Sequence, residues 1–329
     1  MRALVATKYG GPEVLAIVDR DDPVVGADDV LITVRAASLN PLDFKIRDGK
    51  VKIVLRLKPP IALGCDVAGV VAQVGAAVTR FAVGDEVYAR LEKNRMGGLA
   101  ERAVASELVV AKKPAKASFE EAAAIPLAAL TALQALRDVA KLAAGQHVLV
   151  HAGAGGVGSL AIQIAKILGL EVTTTTSTKN VDFVKSLGAD HVVDYTKNEP
   201  LPTGVDAVFD TLGGASEIAS LAATKPGGTV VGVGGMPDMA FARERLPAFA
   251  RPVIWLATLG RRRAAARAGA QFRYLFMHPD GEQLAELARW IDDGKLRPII
   301  HRTYRFDDIR EAFAELERGR ARGKIVVTI

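Results

Sequence analysis

The residues from His147 to Leu168, HVLVHAGAGGVGSLAIQIAKIL, restrict the fold more than any other stretch of the chain. Val148-Leu149-Val150 is a short apolar run and reads as a buried parallel strand. Gly153, Gly155 and Gly158 follow at G-x-G-x-x-G spacing, and Leu160, Ile164, Ile167 and Leu168 then recur with helical period. Glycines set between a strand and a helix form the turn that binds a dinucleotide. Gly153 is expected to permit the tight turn, Gly155 to let the backbone approach a pyrophosphate, and Gly158 to let the helix pack close to the strand. Gly155, Gly156 and Val157 stand at the helix N-terminus, whose amides and partial positive charge suit phosphate. The bland alternative is a glycine-rich turn that binds nothing; the agreement of spacing with flanking elements weighs against it.

The next strand, Glu171-Val172-Thr173-Thr174-Thr175, bears on which dinucleotide. A site for NAD places an acid at the end of this strand, about 20 residues past the glycines, to hold the ribose 2′-hydroxyl. Thr176, Ser177, Thr178 and Lys179 stand there instead. Hydroxyl donors with an ammonium suit a 2′-phosphate, so the expected cofactor is NADPH. Ser and Thr also cap helices routinely, but a cap explains neither the missing acid nor the lysine.

A chain of 329 residues, half of them hydrophobic, exceeds one ordinary core and suits two domains. No run approaches the ~18 apolar residues of a membrane-spanning helix, and the opening MRALV leads straight into strand-like sequence without a signal or transit pattern. The single Cys65 excludes an internal disulfide and a multi-cysteine zinc site. These features point to the cytoplasm, with no membrane partner. The net charge of +6 raises nucleic acid as a partner. Apart from one group (Arg251, Arg261, Arg262, Arg263, Arg267 and Arg273) the arginines are scattered, and no aromatic residue interleaves with Arg261-Arg262-Arg263. That group reads as a solvated helix face, and no nucleic acid is expected.

Residues 1–120 read as β-rich. Ser118 and Glu121 form a capping box before a helical segment, 122–136, interrupted at Pro126. Residues 145–235 alternate strand and helix, which implies a parallel sheet with right-handed crossovers. Residues 237–273 take no clear assignment. A helix follows at 281–291, a strand at 299–300, a helix at 307–316 and a closing strand at 324–329. Residues 230–233 read as the last strand of the nucleotide-binding sheet, with an open edge that is a template for a C2 homodimer unless the 237–273 segment covers it.

Together, the β-rich start, AGAGGVG, the polar Ser177-Thr178-Lys179-Asn180 and the closing Arg322-Gly323-Lys324-Ile325-Val326-Val327 resemble the medium-chain dehydrogenase/reductase superfamily. Gly10-Gly11-Pro12-Glu13-Val14-Leu15 and Ser38-Leu39-Asn40-Pro41-Leu42-Asp43 resemble its quinone reductase branch. Gly64-Cys65-Asp66-Val67-Ala68-Gly69, Leu187-Gly188-Ala189-Asp190 and Asp194-Tyr195-Thr196-Lys197 are similar to 2-alkenal (enone) reductases. The resemblance implies an α/β chain: a Rossmann doubly wound parallel sheet domain at 121–296, and a β-rich GroES-like substrate domain from 1–120 together with 297–329. Zinc-dependent members carry an early cysteine, a Gly-His-Glu motif and a four-cysteine lobe; here the motif reads Gly64-Cys65-Asp66. No metal is therefore expected, with Cys65 a small buried residue and Asp66 a partner for backbone rather than a base.

The activity this resemblance implies is NADPH-dependent reduction of the activated C=C bond of α,β-unsaturated ketones or aldehydes, with hydride delivered to the β-carbon. Alternatives are a quinone reductase, an enoyl thioester reductase without a carrier, and a binding protein that has lost catalysis. The expected partner is a small enone or quinone. By resemblance, Asn40 donates to the substrate carbonyl, and Lys45 binds the cofactor or holds the enolate. Their plainer readings are a turn residue before Pro41 and a surface lysine. Thr131 is implied near the nicotinamide, Tyr195 near the 2′-phosphate, Leu212 and Val233 at strand ends beside ribose and nicotinamide, and Phe276 and Lys324 on the return to the substrate domain.

Overall fold

A computed structural model describes all 329 residues. The chain divides into two compact units, Met1–Leu130 with His278–Ile329, and Thr131–Met277. Residues 121–130 and 278–296, expected in the nucleotide domain, group with the first unit. Hydrogen bonds explain this: the Leu127 amide donates to Asp66 Oδ1 at 2.9 Å, and the Tyr88 hydroxyl donates to the Leu284 carbonyl. The helix Gly281–Asp292 also seats Gly281 so close to the Val110 carbonyl that a Cβ there would lie 2.5 Å from it.

Strands are numbered in chain order. In the first unit β1 (Arg2–Ala6) pairs with β2 (Leu15–Asp19) and β4 (Ile61–Ala62). The larger sheet runs in the order β15 (Ile300–Arg305), β16 (Lys324–Thr328), β3 (Asp29–Leu39), β5 (Asp66–Val74), β6 (Glu86–Arg90), β8 (Val110–Lys112), with β7 (Arg102–Ser106) also on β3. Its pairs are antiparallel except β15 with β16. β3 is buried along nearly its whole length because strands flank it and a core including Val30, Ile32, Val67, Val87 and Phe313 packs around it. Sheet register then sets polar residues side by side: Ser38 faces Asp66 across β3–β5, and Asp66 faces Arg90 across β5–β6.

The second unit holds a wholly parallel sheet of six strands, in the order β11 (His191–Asp194), β10 (Glu171–Thr176), β9 (His147–Val150), β12 (Val205–Asp210), β13 (Thr224–Gly232), β14 (Gln271–Tyr274). Strand order reverses beside β9, the position where α/β sheets place their ligands. The helices Gly156–Ile167, Val181–Ser186 and Ala215–Ala223 make the crossovers.

Two expectations are corrected here. Residues 230–233 are not the sheet's edge, because Gln271–Tyr274 pairs along β13 and takes that place. The unassigned segment is ordered structure: helices Met239–Arg245, Arg251–Ala257 and Leu259–Ala268 lead into that strand. Its arginines are also not one solvated face. Arg263, Arg267 and Arg273 are exposed, but Arg261 is buried. Arg261 donates to Glu217 Oε2 at 2.9 Å and to the carbonyls of Met236 and Pro237 at 2.7 and 2.9 Å, and its guanidinium lies 3.8 Å from the centroid of the Phe272 ring. Helical phase explains the split, since neighbouring positions on a helix face different ways.

Candidate functional site

In the second unit the glycine turn leaves β9 through Ala152, whose φ of +53° is left-handed. The residue that turns the chain is thus Ala152, and Gly153 serves a different need from the one expected: a Cβ there would sit 2.1 Å from Thr174 Oγ1. Gly158 does allow the close approach, since its Cβ would lie 2.2 Å from the Ala152 carbonyl. Gly155 differs from both. A Cβ on it meets only the Ala152 carbonyl, at 3.4 Å, so nothing inside the chain forbids a side chain there. The helix begins at Gly156 with Gly155 as N-cap and no capping side chain. Its first-turn amides, including those of Gly156 and Val157, lack intrahelical acceptors. A turn open at Gly155 and an uncapped N-terminus fit a pyrophosphate.

The end of β10 carries Thr176, buried, then half-buried Ser177 and exposed Lys179. Asn180 Nδ2 donates to Ser177 Oγ at 3.3 Å. The carboxylate nearest in register is Asp194, opposite Thr176 on β11. It is buried and committed: it accepts from the Thr196 amide at 3.0 Å, the Thr196 hydroxyl at 2.6 Å and the Thr178 hydroxyl at 2.5 Å. No uncommitted acid therefore stands where a ribose diol would be held. Tyr195 is exposed just past β11. Leu212, exposed, and Val233, half-buried, follow β12 and β13, so Gly155, Gly156, Val157, Thr176, Ser177, Leu212 and Val233 all gather at the carboxyl ends of parallel strands. Thr131 is buried on the helix Pro126–Leu133, and Phe276 is half-buried with its ring edge-on to Phe241.

In the first unit Asn40 and Lys324 come together in a buried polar knot. Asp66 Oδ2 accepts from Ser38 Oγ at 3.0 Å and Asn40 Nδ2 at 2.9 Å, and lies 3.5 Å from Lys324 Nζ. Lys324 Nζ also donates to the Leu39 carbonyl at 2.9 Å and to Asn40 Oδ1. All three ammonium protons are thereby directed at protein oxygens. Asn40 keeps one N–H with only distant neighbours, the Ser38 carbonyl at 3.5 Å and Cys65 Sγ at 3.7 Å. Burial pushes the Cys65 thiol well up. Lys45 stands apart, half-buried on the helix Pro41–Arg47 that Asn40 precedes. No three His, Cys, Asp or Glu side chains converge as metal ligands. Sequence reading passed over Ser38, Asp43 and His151; only the positions of Asp43 in a capping box after Asn40 and of His151 just before the glycine turn signalled them.

Asp43 is buried, accepting from the Asn40 amide at 2.7 Å and the Gly64 amide at 3.2 Å. Burial, aided by the nearby Asp66, raises its carboxyl to about 7 against the pull of these amides and Lys324. The folded state therefore binds this proton more tightly than the unfolded chain, whose Asp titrates near ~3.9. The stabilisation is complete below about pH 4 and lost as pH rises towards 7, a change on the order of 4 kcal/mol. Asp43→Asn should remove that slope: the stability difference between wild type and variant, from urea titrations between pH 4.5 and 7.5, should narrow or reverse as pH rises. A difference independent of pH overturns it.

Two family descriptions match the sequence: "Alcohol dehydrogenase GroES-like domain" over residues 26–115 and "Zinc-binding dehydrogenase" over 187–327. The chain is similar to a 2-methylene-furan-3-one reductase of Solanum lycopersicum, 38% identical over 99% of this chain and 79% of that protein. It is similar to a chloroplastic NADPH-dependent alkenal/one oxidoreductase of Arabidopsis thaliana, 37% identical with the same coverages of 99% and 79%. Among solved structures, the quinone oxidoreductase of Coxiella burnetii superposes with a TM-score of 0.87 at 35% identity, covering 100% of this chain and 99% of that one. No helix is long and apolar enough to cross a membrane.

Proposed function

We propose, on the premise that the chain belongs to the medium-chain dehydrogenase/reductase superfamily in its quinone oxidoreductase and enone reductase branch, that it is an NADPH-dependent, zinc-independent reductase of the activated C=C bond of α,β-unsaturated ketones and aldehydes. The observation that carries this reading is the knot around Asp66. At the position of the metal-binding motif, Asp66 is committed to Ser38, Asn40, Lys324 and the Leu127 amide, and the Cys65 thiol is held protonated by burial. A zinc site needs about three available ligands, and this donor set does not provide them. Without a Lewis acid, a saturated carbonyl or alcohol is a poor substrate. A conjugated C=C is a good one, because charge arising on hydride addition at the β-carbon spreads to the carbonyl oxygen, where one or two donors suffice.

The bound cofactor supplies the hydride. The uncapped turn at Gly155, Gly156 and Val157 holds its pyrophosphate, and Thr176, Ser177, Lys179 and Tyr195 surround its 2′-phosphate. Asn40, its oxygen fixed by Lys324 and one N–H by Asp66, has its second N–H for the substrate oxygen. Lys45, on the helix that Asn40 precedes, is the further cation, for the cofactor or the enolate. Thr131, Leu212, Val233 and Phe276 line the nicotinamide side. Two copies pair as a homodimer, now through the free edge of β14, and the enzyme acts in the cytoplasm; a monomer mass by light scattering at every concentration overturns the dimer.

Reduction of a simple enone with NADPH deuterated at C4 should place the label on the β-carbon and leave the carbonyl intact, as read by NMR. Label on the carbonyl carbon, giving an allylic alcohol, overturns the proposal. Turnover of quinones without enones favours the second reading, supported by the likeness to a quinone oxidoreductase. Cofactor choice is tested separately: Lys179→Ala should weaken NADPH binding roughly 10- to 100-fold, the loss of one charge-assisted contact, and leave NADH nearly unaffected. Equal affinity of the wild type for both cofactors sinks the assignment.

A further inference from the structure

A second buried network lies beneath the loops of the parallel sheet, and none of the roles above uses it. The Ala152 amide donates to Thr175 Oγ1 at 3.0 Å. Thr175 Oγ1 lies 3.2 Å from His151 Nδ1, and His151 Nε2 lies 3.0 Å from Ser220 Oγ. Ser220 Oγ donates to Asp210 Oδ2 at 2.9 Å. The other oxygen, Asp210 Oδ1, accepts from the amides of Leu212 and Gly213, both at 2.9 Å. Thr175, His151, Ser220 and Asp210 are all at most 5% exposed.

The proton positions follow from the two ends. Carboxylate oxygens only accept, so the Ser220 proton goes to Asp210 and the serine oxygen accepts from His151 Nε2–H. A neutral imidazole with its proton on Nε2 has only an acceptor at Nδ1, so Thr175, which accepts from the Ala152 amide, donates its own proton there. This fixes one tautomer of a neutral imidazole, and burial lowers the His151 pKa in the same sense. The members are those of a hydrolytic triad, but the order is not. Here the serine stands between histidine and aspartate with its proton committed to the acid, so no base is placed to activate it as a nucleophile.

The network instead joins three loops. Ala152 is the left-handed residue that opens the glycine turn, and its carbonyl accepts from the Gly155 amide at 3.0 Å. Thr175 immediately precedes Thr176 at the end of β10. Leu212 and Gly213 follow β12. We propose that His151, with Thr175, Ser220 and Asp210, is a positioning relay that sets the glycine turn, the 2′-phosphate strand end and the Leu212 loop in register for the dinucleotide; this rests on the cofactor reading above. From Ala152 to Asp210 the donors all run one way, so that stretch is polarised along its length; the Leu212 and Gly213 amides meet it at the carboxylate, and loss of any link releases both ends.

The test is NADPH affinity, read by fluorescence titration without substrate, beside the melting temperature of the cofactor-free protein. Thr175→Val is nearly isosteric and breaks the link to both Ala152 and His151; Ser220→Ala breaks the link to Asp210. Each should raise the Kd for NADPH about tenfold. The double variant should raise it by much less than the product, because either break disables the same relay. Thr175→Ser keeps the hydroxyl and should restore affinity. Lower melting temperatures with unchanged Kd, additive effects in the double variant, or failure of Thr175→Ser to restore binding overturns the relay while leaving the cofactor assignment standing. A wild type that binds no dinucleotide overturns that assignment and the relay with it.

Discussion

Lys324→Met is expected to lower the melting temperature by roughly 10 °C, the equivalent of about 3–5 kcal/mol for stripping one partner from a buried ion pair. The lysine is 5% exposed and Asp66 is fully buried. Methionine has similar length but offers no proton, so the Leu39 carbonyl, Asn40 Oδ1 and the Asp66 carboxylate all lose a donor at once. The penalty comes mostly from the charge left behind. Lys324→Met combined with Asp66→Asn should therefore be more stable than the sum of the two single effects predicts. Thermal unfolding of the three variants checks this; a single-variant shift within 2 °C of wild type, or strict additivity, contradicts it.

Gly155→Ala and Gly158→Ala should separate two uses of glycine within one turn. At Gly158 the new Cβ meets backbone, 2.2 Å from the Ala152 carbonyl and 2.8 Å from Gly153 Cα, and backbone cannot rotate away as a side chain can. Overpacking of this kind costs about 1–3 kcal/mol or more, so Gly158→Ala should lose both stability and NADPH affinity. At Gly155 the backbone is extended, with φ of −77° and ψ of 175°, and the Cβ has room inside the chain. Gly155→Ala should keep the wild-type melting temperature and still weaken NADPH by about tenfold or more, since the methyl group occupies space meant for phosphate. Calorimetry paired with cofactor titration decides. Unchanged affinity in Gly155→Ala would falsify the placement of the pyrophosphate.

The nucleotide turn was legible because everything it needs is contiguous: strand, glycines and helix follow one another in sequence. Even so, sequence misplaced the duty of Gly153, because a left-handed alanine at 152 carries no compositional mark. The knot in the first unit was legible only in parts. Asn40 and Lys324 were both singled out, but their meeting depends on strand register between residues 284 positions apart, which no local pattern encodes. The buried relay was missed for the same reason. His151 stands next to the glycine turn in sequence, but its partners are hydroxyls on β10 and on the helix Ala215–Ala223. Arg261 shows the limit of composition, since it sits beside two further arginines and only helical phase sends it inward. The edge strand Gln271–Tyr274 is four residues long and follows an arginine-rich helix, so its pairing with β13 decided its identity more than its own propensity did.

The last strand of the first unit has a consequence for the order of assembly. β16 lies between β15 and β3, and its residues Ile325–Thr328 pair with Ala36–Leu39. During synthesis β3 leaves the ribosome early and waits for nearly the whole remaining chain before that edge is covered. The second unit is one uninterrupted segment, so it has all its own strands in hand and can close while translation continues. Such long-range pairing is slow, and an unpaired edge is prone to wrong partners. Until Lys324 emerges, Asp66 also lacks that ion-pair partner. Closure of the first unit's sheet therefore comes after the second unit's, with β16 as its latch.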